Sequence, residues 1–228
     1  EISRGTLKAL QFGWQRQLRE TEVACFLSHV AVWRNIAMQT APVLVLEDDV
    51  ILSKRLPEFL EQATKIQNTD HLNLEVHYKK KWLGPNREIG GGFTIAQLHL
   101  DRAGAAAYIL WPAGAKILLA RVDKGEVALA DAFIAEQQSW HSYQADPAQA
   151  LQAEVAPTHR VRTAFQTSST IQAYDARDNL TAAAYWELKR RRLRAQWQIG
   201  LRKMKLLKTI TPRWPKVASA DFEIDPYL

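Results

Sequence analysis

The chain has 228 residues, 47% hydrophobic and 24% charged, which is enough apolar material for a core and too ordinary a charge content for a disordered chain. It contains no run of about 18 apolar residues, which excludes a helix crossing a membrane; its single cysteine, Cys25, excludes an intrachain disulfide or a zinc site built on thiolates and fits a reducing compartment. The net charge of +6 is uneven, because Glu187 to Lys216 holds eleven Lys/Arg against one acid, a local +10 that leaves −4 for the body.

The opening EISRGTLKAL lacks an apolar h-region, so no secretory leader is expected there. Glu22 to Met38 predicts a helix, with Thr21 as its cap and Val23, Phe26, Leu27, Val30 and Ala37 at helical spacing. Val43 to Leu46 is continuously apolar, as a parallel strand covered on both faces would be. A helix over Leu56 to Ile66 and a strand over Leu72 to Val76 follow. KKKWLGPNREIGGG, residues 79 to 92, predicts a loop, being rich in charge, Pro and Gly. Its Gly90-Gly91-Gly92 reads either as a phosphate wrap or as a flexible turn, and no strand-to-helix signature favours the wrap. Further on, Ala105 to Leu110 predicts a strand, Pro112 to Leu119 a helix with Pro in its first turn, and Val127 to Gln137 a helix around Asp131. Ala156 to Ser169 reads as irregular, and Thr181 to Lys208 as a long helix stopped by Pro212 and Pro215. Helices alternating with apolar strands predict an α/β fold. The expected division is a catalytic body, 1 to 178, and a basic helical tail, 179 to 228.

The apolar run VLVLEDDVIL, 43 to 52, is interrupted by Glu47, Asp48 and Asp49. In open α/β sheets ligands bind beyond the carboxyl ends of strands, where these acids fall. Adjacent carboxylates repel, and a buried unpaired one is costly. A hard divalent cation, Mn²⁺ or Mg²⁺, relieves both and can hold a diphosphate. The competing reading is a solvated turn in which an acid caps a helix.

The segment TEVACFLSHVAVWRNIA, 21 to 37, followed by VLVLEDDVIL resembles glycosyltransferase family 25, which includes bacterial lipooligosaccharide galactosyltransferases and is related to collagen galactosyltransferases. Glu22, Cys25, Phe26, Leu27, Ser28 and His29 match its GEIGCFLSH helix, and Glu47 to Val50 match its EDDV. AAAYILWPAGAKILL (105 to 119), ALADAFIAE (128 to 136) and AFQTSSTIQ (164 to 172) resemble later family motifs in the same order. The likeness spans roughly residues 18 to 172. It implies a GT-A-like (Rossmann-like) mixed sheet flanked by helices, a UDP-sugar donor (usually UDP-galactose), a divalent metal and inversion at the anomeric carbon. The implied metal residues are Glu47, Asp48 and Asp49. Asp131 is the implied general base, against the alternative of a helix-capping acid. Ser28 and His29 are expected to orient the metal loop and reach donor or acceptor, although a helical histidine is more often a packed core residue. Gln166, Ser168 and Ser169 are expected to bind donor or acceptor hydroxyls, with a generic polar loop as the alternative. Three departures stand out: the family's NL…R…R signature has no counterpart, Leu129-Ala130 replaces its PV, and Ala106 replaces its Thr or His.

In the tail, KRRRLR at 189 to 194 lies among Trp186, Leu193, Trp197, Leu201, Met204 and Leu207, which share one helical stripe. A basic amphipathic helix with tryptophans suits an anionic membrane surface, here through residues 181 to 216. A solvated face on a packed helix is the alternative. No nucleic-acid module accompanies the cluster, so no nucleic acid is expected. The combined expectation is a transferase acting on a lipid-linked lipopolysaccharide or lipooligosaccharide core at the cytoplasmic face of the inner membrane. A non-catalytic carbohydrate- or nucleotide-binding relative, or a membrane-surface module, is the rival.

Overall fold

The computed structural model describes residues 4–102, 104–161, 181–207 and 209–222. In chain order these form α1 (Arg4–Gln11), α2 (Glu20–Ile36), β1 (Val43–Leu46), β2 (Val50–Leu52), α3 (Leu56–Ala63), β3 (His71–Asn73), β4 (Glu75–Val76), β5 (Trp82–Gly90) and β6 (Phe93–Leu100). β7 (Ala107–Leu110), α4 (Pro112–Val122), α5 (Ala130–Glu136), β8 (Ser142–Ala145), β9 (Ala150–Gln152) and α6 (Ala182–Leu207) follow. The fold is α/β, with a mixed sheet flanked by helices and a C-terminal helix, as the resemblance implied.

The main sheet has the order β1-β7-β3-β8-β6-β5, and β2-β9-β4 form a smaller one. In the main sheet only β3 and β8 run parallel. β1 is therefore not a parallel strand: it pairs antiparallel with β7, Val43 opposite Leu110 and Leu46 opposite Ala107, and lies at the sheet edge. Val43 to Val45 are still covered on both faces, whereas Leu46 at the strand end is exposed. Val43 and Val45 face the core under α2, α4 and α5, whereas Leu44 faces the core under α3. β7 alternates the same way, with Tyr108 and Leu110 on the first face and Ala107 and Ile109 on the second. A continuously apolar run reports two covered faces, and α/β architecture supplies these to an antiparallel edge as readily as to a parallel centre.

Two further expectations are corrected. The predicted loop at 79 to 92 is mostly β5, which pairs antiparallel with β6 and carries register shifts around Gly84-Pro85. Pro and charge are tolerated because β5 is an edge strand whose residues 85 to 88 are exposed. Gly90, Gly91 and Gly92, all at positive φ, close this hairpin. Helix α2 begins at Glu20, not Glu22, and Thr21 lies inside its first turn. The Glu22 carboxylate accepts the Arg19 N–H at 2.9 Å and two bonds from Arg16 at 2.8 Å, which stabilises an earlier start.

Three chain segments step from the main sheet to the small one: β1 to β2 through residues 47 to 49, β3 to β4 through Leu74, and β8 to β9 through 146 to 149. The acidic triplet is one of these steps. The segment after α6 returns to the same region. Arg213 exchanges backbone hydrogen bonds with Lys81 and pairs with the buried Asp146, which also accepts the Lys216 N–H at 2.7 Å. Phe222 is buried against Ile51, Val76 and Leu151.

Helix α4 meets the main sheet closely. A Cβ at Gly114 would sit 2.2 Å from the Asp70 carbonyl oxygen, which already accepts the Trp111 N–H. Gly114→Ala is expected to destabilise the fold by about 2 kcal/mol. Gly200→Ala, where a Cβ meets nothing within 4 Å, is the control. Urea denaturation of both variants measures this, and equal midpoints would refute the close contact.

Candidate active site

The turn Glu47-Asp48-Asp49 is pinned at both ends. The Glu47 N–H donates to the Ala106 carbonyl at 2.8 Å, and the Asp49 carbonyl accepts the Ala153 N–H at 3.0 Å. Backbone rigidity thus comes from both sheets at once. Asp48 is exposed, and Glu47 and Asp49 are half-buried. One Asp49 oxygen, Oδ1, is buried with no hydrogen-bond partner among the described residues. Burial raises the Asp49 pKa, and the charges of Glu47, Asp48 and Glu154 raise it further. An oxygen-only set with an orphaned buried carboxylate oxygen fits a hard divalent cation, with Asp49 as the central ligand and Glu47 or Asp48 beside it.

The three acids do not converge on one point. Glu47 instead meets α2: among the described residues, the one group of three possible metal-ligating atoms lying within 4.8 Å of one another is Cys25, His29 and Glu47. His29 Nε2 is 3.2 Å from Glu47 Oε1. Its Nδ1 is 2.9 Å from the Tyr108 hydroxyl, which accepts the Trp33 indole N–H at 2.9 Å. Burial opposes a charge on His29, but hydrogen bonds and charges from Cys25 and Glu47 outweigh it and hold the pKa up at about 9. His29 is therefore both a packed core residue and a neighbour of the acidic turn. Ser28 does not join the group; it is exposed, and its hydroxyl donates back to the Ala24 carbonyl at 3.0 Å.

Asp131 lies in the first turn of α5, where its Oδ1 accepts the Ala132 N–H at 2.6 Å. Burial raises its pKa; the Ala132 N–H and Lys79 pull the other way, and the charges of Glu47 and Asp101 add to the rise. Asp131 and the acidic turn thus share one electrostatic neighbourhood. Asp131 also lines a cavity of about 550 Å³ whose wall includes Trp14, Lys79, Asp101, Arg121, Arg191 and Arg202. Two of these belong to α6, which lies over the cavity. Arg191 donates to the Phe12 carbonyl at 2.9 Å, and Arg202 donates to the His99 carbonyl.

Next to this cavity sits a buried polar network absent from the sequence expectations. Lys81, wholly buried, reaches Asp101 at 2.8 Å, Gln144 at 2.6 Å and Asn73 at 3.1 Å. Burial lifts Glu75 to about 7, against the pull of Lys81 and the Ala106 N–H. A signal existed: in HLNLEV, 71 to 76, His71, Asn73 and Glu75 alternate with Leu72, Leu74 and Val76, the trace of an extended segment with one polar side, which the structure divides between β3 and β4 at Leu74. The remaining predicted residues, Gln166, Ser168 and Ser169, lie outside the described residues.

A family model described as glycosyltransferase family 25 (LPS biosynthesis protein) matches residues 6–134, a span that includes α2, the acidic turn and Asp131. The chain is 34% identical over 111 residues to the probable inactive glycosyltransferase 25 family member 3 of Bos taurus, covering 46% of this chain and 18% of that protein. It is 30% identical over 104 residues to the lacto-N-neotetraose biosynthesis glycosyltransferase LgtE of Neisseria meningitidis serogroup B, covering 42% and 37%. It is also 30% identical over 118 residues to the lipooligosaccharide biosynthesis protein lic2B of Haemophilus influenzae, covering 46% and 43%. Each match thus spans less than half the length of the relative. With the helix, the acidic turn and Asp131 all inside a match that covers more than half of its residues, the chain belongs to glycosyltransferase family 25.

Proposed function

We propose that the chain carries the reaction centre of a metal-dependent, inverting hexosyltransferase that moves a sugar, galactose in the first instance, from a UDP-sugar to a lipid-linked oligosaccharide core. The observation that carries this reading is the buried, unpartnered Oδ1 of Asp49 within a cluster of acids. Asp49, with Glu47 or Asp48 assisting directly or through water, would hold Mn²⁺ or Mg²⁺. A cation there supplies positive charge against the charge that grows on the departing diphosphate. Asp131 takes the proton of the acceptor hydroxyl as its oxygen bonds to the anomeric carbon; the carbon–oxygen bond to UDP breaks on the opposite face, and UDP leaves. The raised pKa of Asp131, caused first by burial, makes its carboxylate a stronger base than a free aspartate. The cavity beside it has room for a saccharide.

Helix α6 supports work at an anionic membrane surface. Its polar residues Arg191, Gln198 and Arg202 face the cavity. Trp186, Leu193, Trp197 and Met204 are 62%, 58%, 70% and 57% exposed, although they are the apolar stripe of an amphipathic helix. Lys189, Arg190, Arg192, Arg194 and Lys205 are exposed alongside them. No described helix is long and apolar enough to cross a membrane. Peripheral attachment at the cytoplasmic face of the inner membrane places the active-site cleft beside a lipid-linked acceptor. A second reading, a non-catalytic sugar-nucleotide binder, draws on the word inactive in the name of the Bos taurus relative.

Asp49→Asn is expected to abolish Mn²⁺-dependent binding of UDP-galactose in calorimetry without unfolding the protein; unchanged binding would remove the metal assignment. Asp131→Asn is expected to keep donor binding and lower kcat by about 10²–10⁴. A base is needed deprotonated, so wild-type kcat/KM should fall as pH drops through the raised Asp131 pKa, above the usual aspartate range. Donor binding with no transfer or hydrolysis at any pH would favour the non-catalytic reading. Replacing Arg192, Arg194 and Lys205 by Ala is expected to weaken binding to phosphatidylglycerol vesicles roughly 100-fold at low salt, at about 1 kcal/mol per charge. Salt-insensitive binding would count against the membrane role.

A further inference from the structure

We propose that Cys25, His29 and Glu47 form a binding site for a thiophilic divalent cation, of which Zn²⁺ is the natural example, separate from the oxygen-only site at Asp49. Cys25 and His29 are four residues apart on α2 and so lie on one face of it. The hydrogen bond from the Glu47 N–H to the Ala106 carbonyl fixes the backbone of Glu47 at the end of β1, in front of that face. One ligand atom from each residue lies within 4.8 Å of the other two. Nitrogen and oxygen ligands on one tetrahedral Zn²⁺, each bonded at about 2.0–2.1 Å, stand about 3.3 Å apart. His29 Nε2 and Glu47 Oε1 are already 3.2 Å apart, so this pair meets the ion with little rearrangement and the Cys25 side chain closes on it.

The surroundings complete a metal site. With Nε2 on the cation, the ring keeps its hydrogen on Nδ1, facing the Tyr108 hydroxyl oxygen at 2.9 Å, and Trp33 holds that hydroxyl from the other side. A hydrogen-bonded second ring nitrogen is the usual device for orienting a ligating histidine. Cys25 is exposed, so the ion has an entry path and the fourth position is open to water. On binding, the Cys25 thiol and the His29 Nε2 each release a proton to solvent, and the thiolate and the Glu47 carboxylate neutralise the two charges of the ion. Sulfur and nitrogen ligands select Zn²⁺ over the Mn²⁺ or Mg²⁺ that suits Asp49. Glu47 is the point of contact between the two sites. Zn²⁺ in the trio withdraws it from Asp49, so thiophilic cations should oppose donor binding; this consequence, unlike the site itself, rests on the transferase reading.

Co²⁺ titration of the reduced full chain, followed by optical absorption and then by Zn²⁺ displacement, tests the site without assaying activity. The expected result is a thiolate-to-cobalt charge-transfer band that Zn²⁺ abolishes, that Cys25→Ser lacks and that Asp49→Asn retains. Tyr108→Phe, which keeps the ring and removes the hydroxyl, is expected to weaken Zn²⁺ binding by about 10-fold or more. Absence of the band in the wild type, or equal Zn²⁺ affinity in the wild type and Cys25→Ser, would overturn the proposal and leave the trio as a hydrogen-bonded ion pair. A band that persists while UDP-galactose binding proves insensitive to Mn²⁺ would uphold this site and reject only the metal role of Asp49.

Discussion

The Tyr108 hydroxyl is the contact on which the site depends. A phenol buried without partners is costly, and this one is wholly inside the core. Its partners are Trp33 and His29, one turn apart on α2. Satisfying it fixes the rotation and the height of α2 on the sheet, because only one placement brings both side chains to the same oxygen. That placement then sets His29 against Glu47. The hydrophobic packing of Phe26, Trp33 and Phe133, with ring centroids 5.0–6.0 Å apart, gives the helix its adhesion. The polar contact gives it its register.

The two sheets explain why acids can sit inside an apolar run. Three strands leave the main sheet for the small one at neighbouring points, and each crossing interrupts a strand ladder. Backbone groups freed there pair across the junction, as Glu47 does with Ala106 and Asp49 does with Ala153. Val43 to Val45 before the turn and Ile51 after it remain in cores, but in different ones. The apolar run is thus two short strands of two sheets, and the carboxylates occupy the space between them.

Helix α6 joins a surface property to the cleft. Its basic residues divide between two tasks. Arg191 and Arg202 bond to backbone carbonyls of the body and wall the cavity beside Asp131. Others, such as Arg192 and Arg194, stand in solvent beside exposed tryptophan and leucine. Any surface that engages the outer stripe therefore lies one helix diameter, about 10–12 Å, from the cavity.

Strong local patterns carried much of the architecture. The helical spacing of Val23, Phe26 and Val30, the apolar block at 43 to 46, and the long basic helix are each recorded in consecutive residues, because burial on one face of a helix or both faces of a strand leaves a periodic trace. The motif residues Glu47, Asp49, His29 and Asp131 stood out differently, through the resemblance to glycosyltransferase family 25, which records residue types and their order. Partnership was legible in neither. The antiparallel pairing of β1 with β7 joins residues some 60 positions apart, and hydropathy reports that a face is covered without reporting by what. The strand β5 was hidden because an edge strand tolerates the Pro, Gly and charge that mark a loop. Glu47 turning to Cys25 and His29, Lys81 buried under Asp101 and Gln144, and α6 laying its arginine face over the cavity are all decisions of long-range packing. Each satisfies a buried polar or charged group whose partner lies elsewhere in the chain, and no local rule of sequence contains that distance.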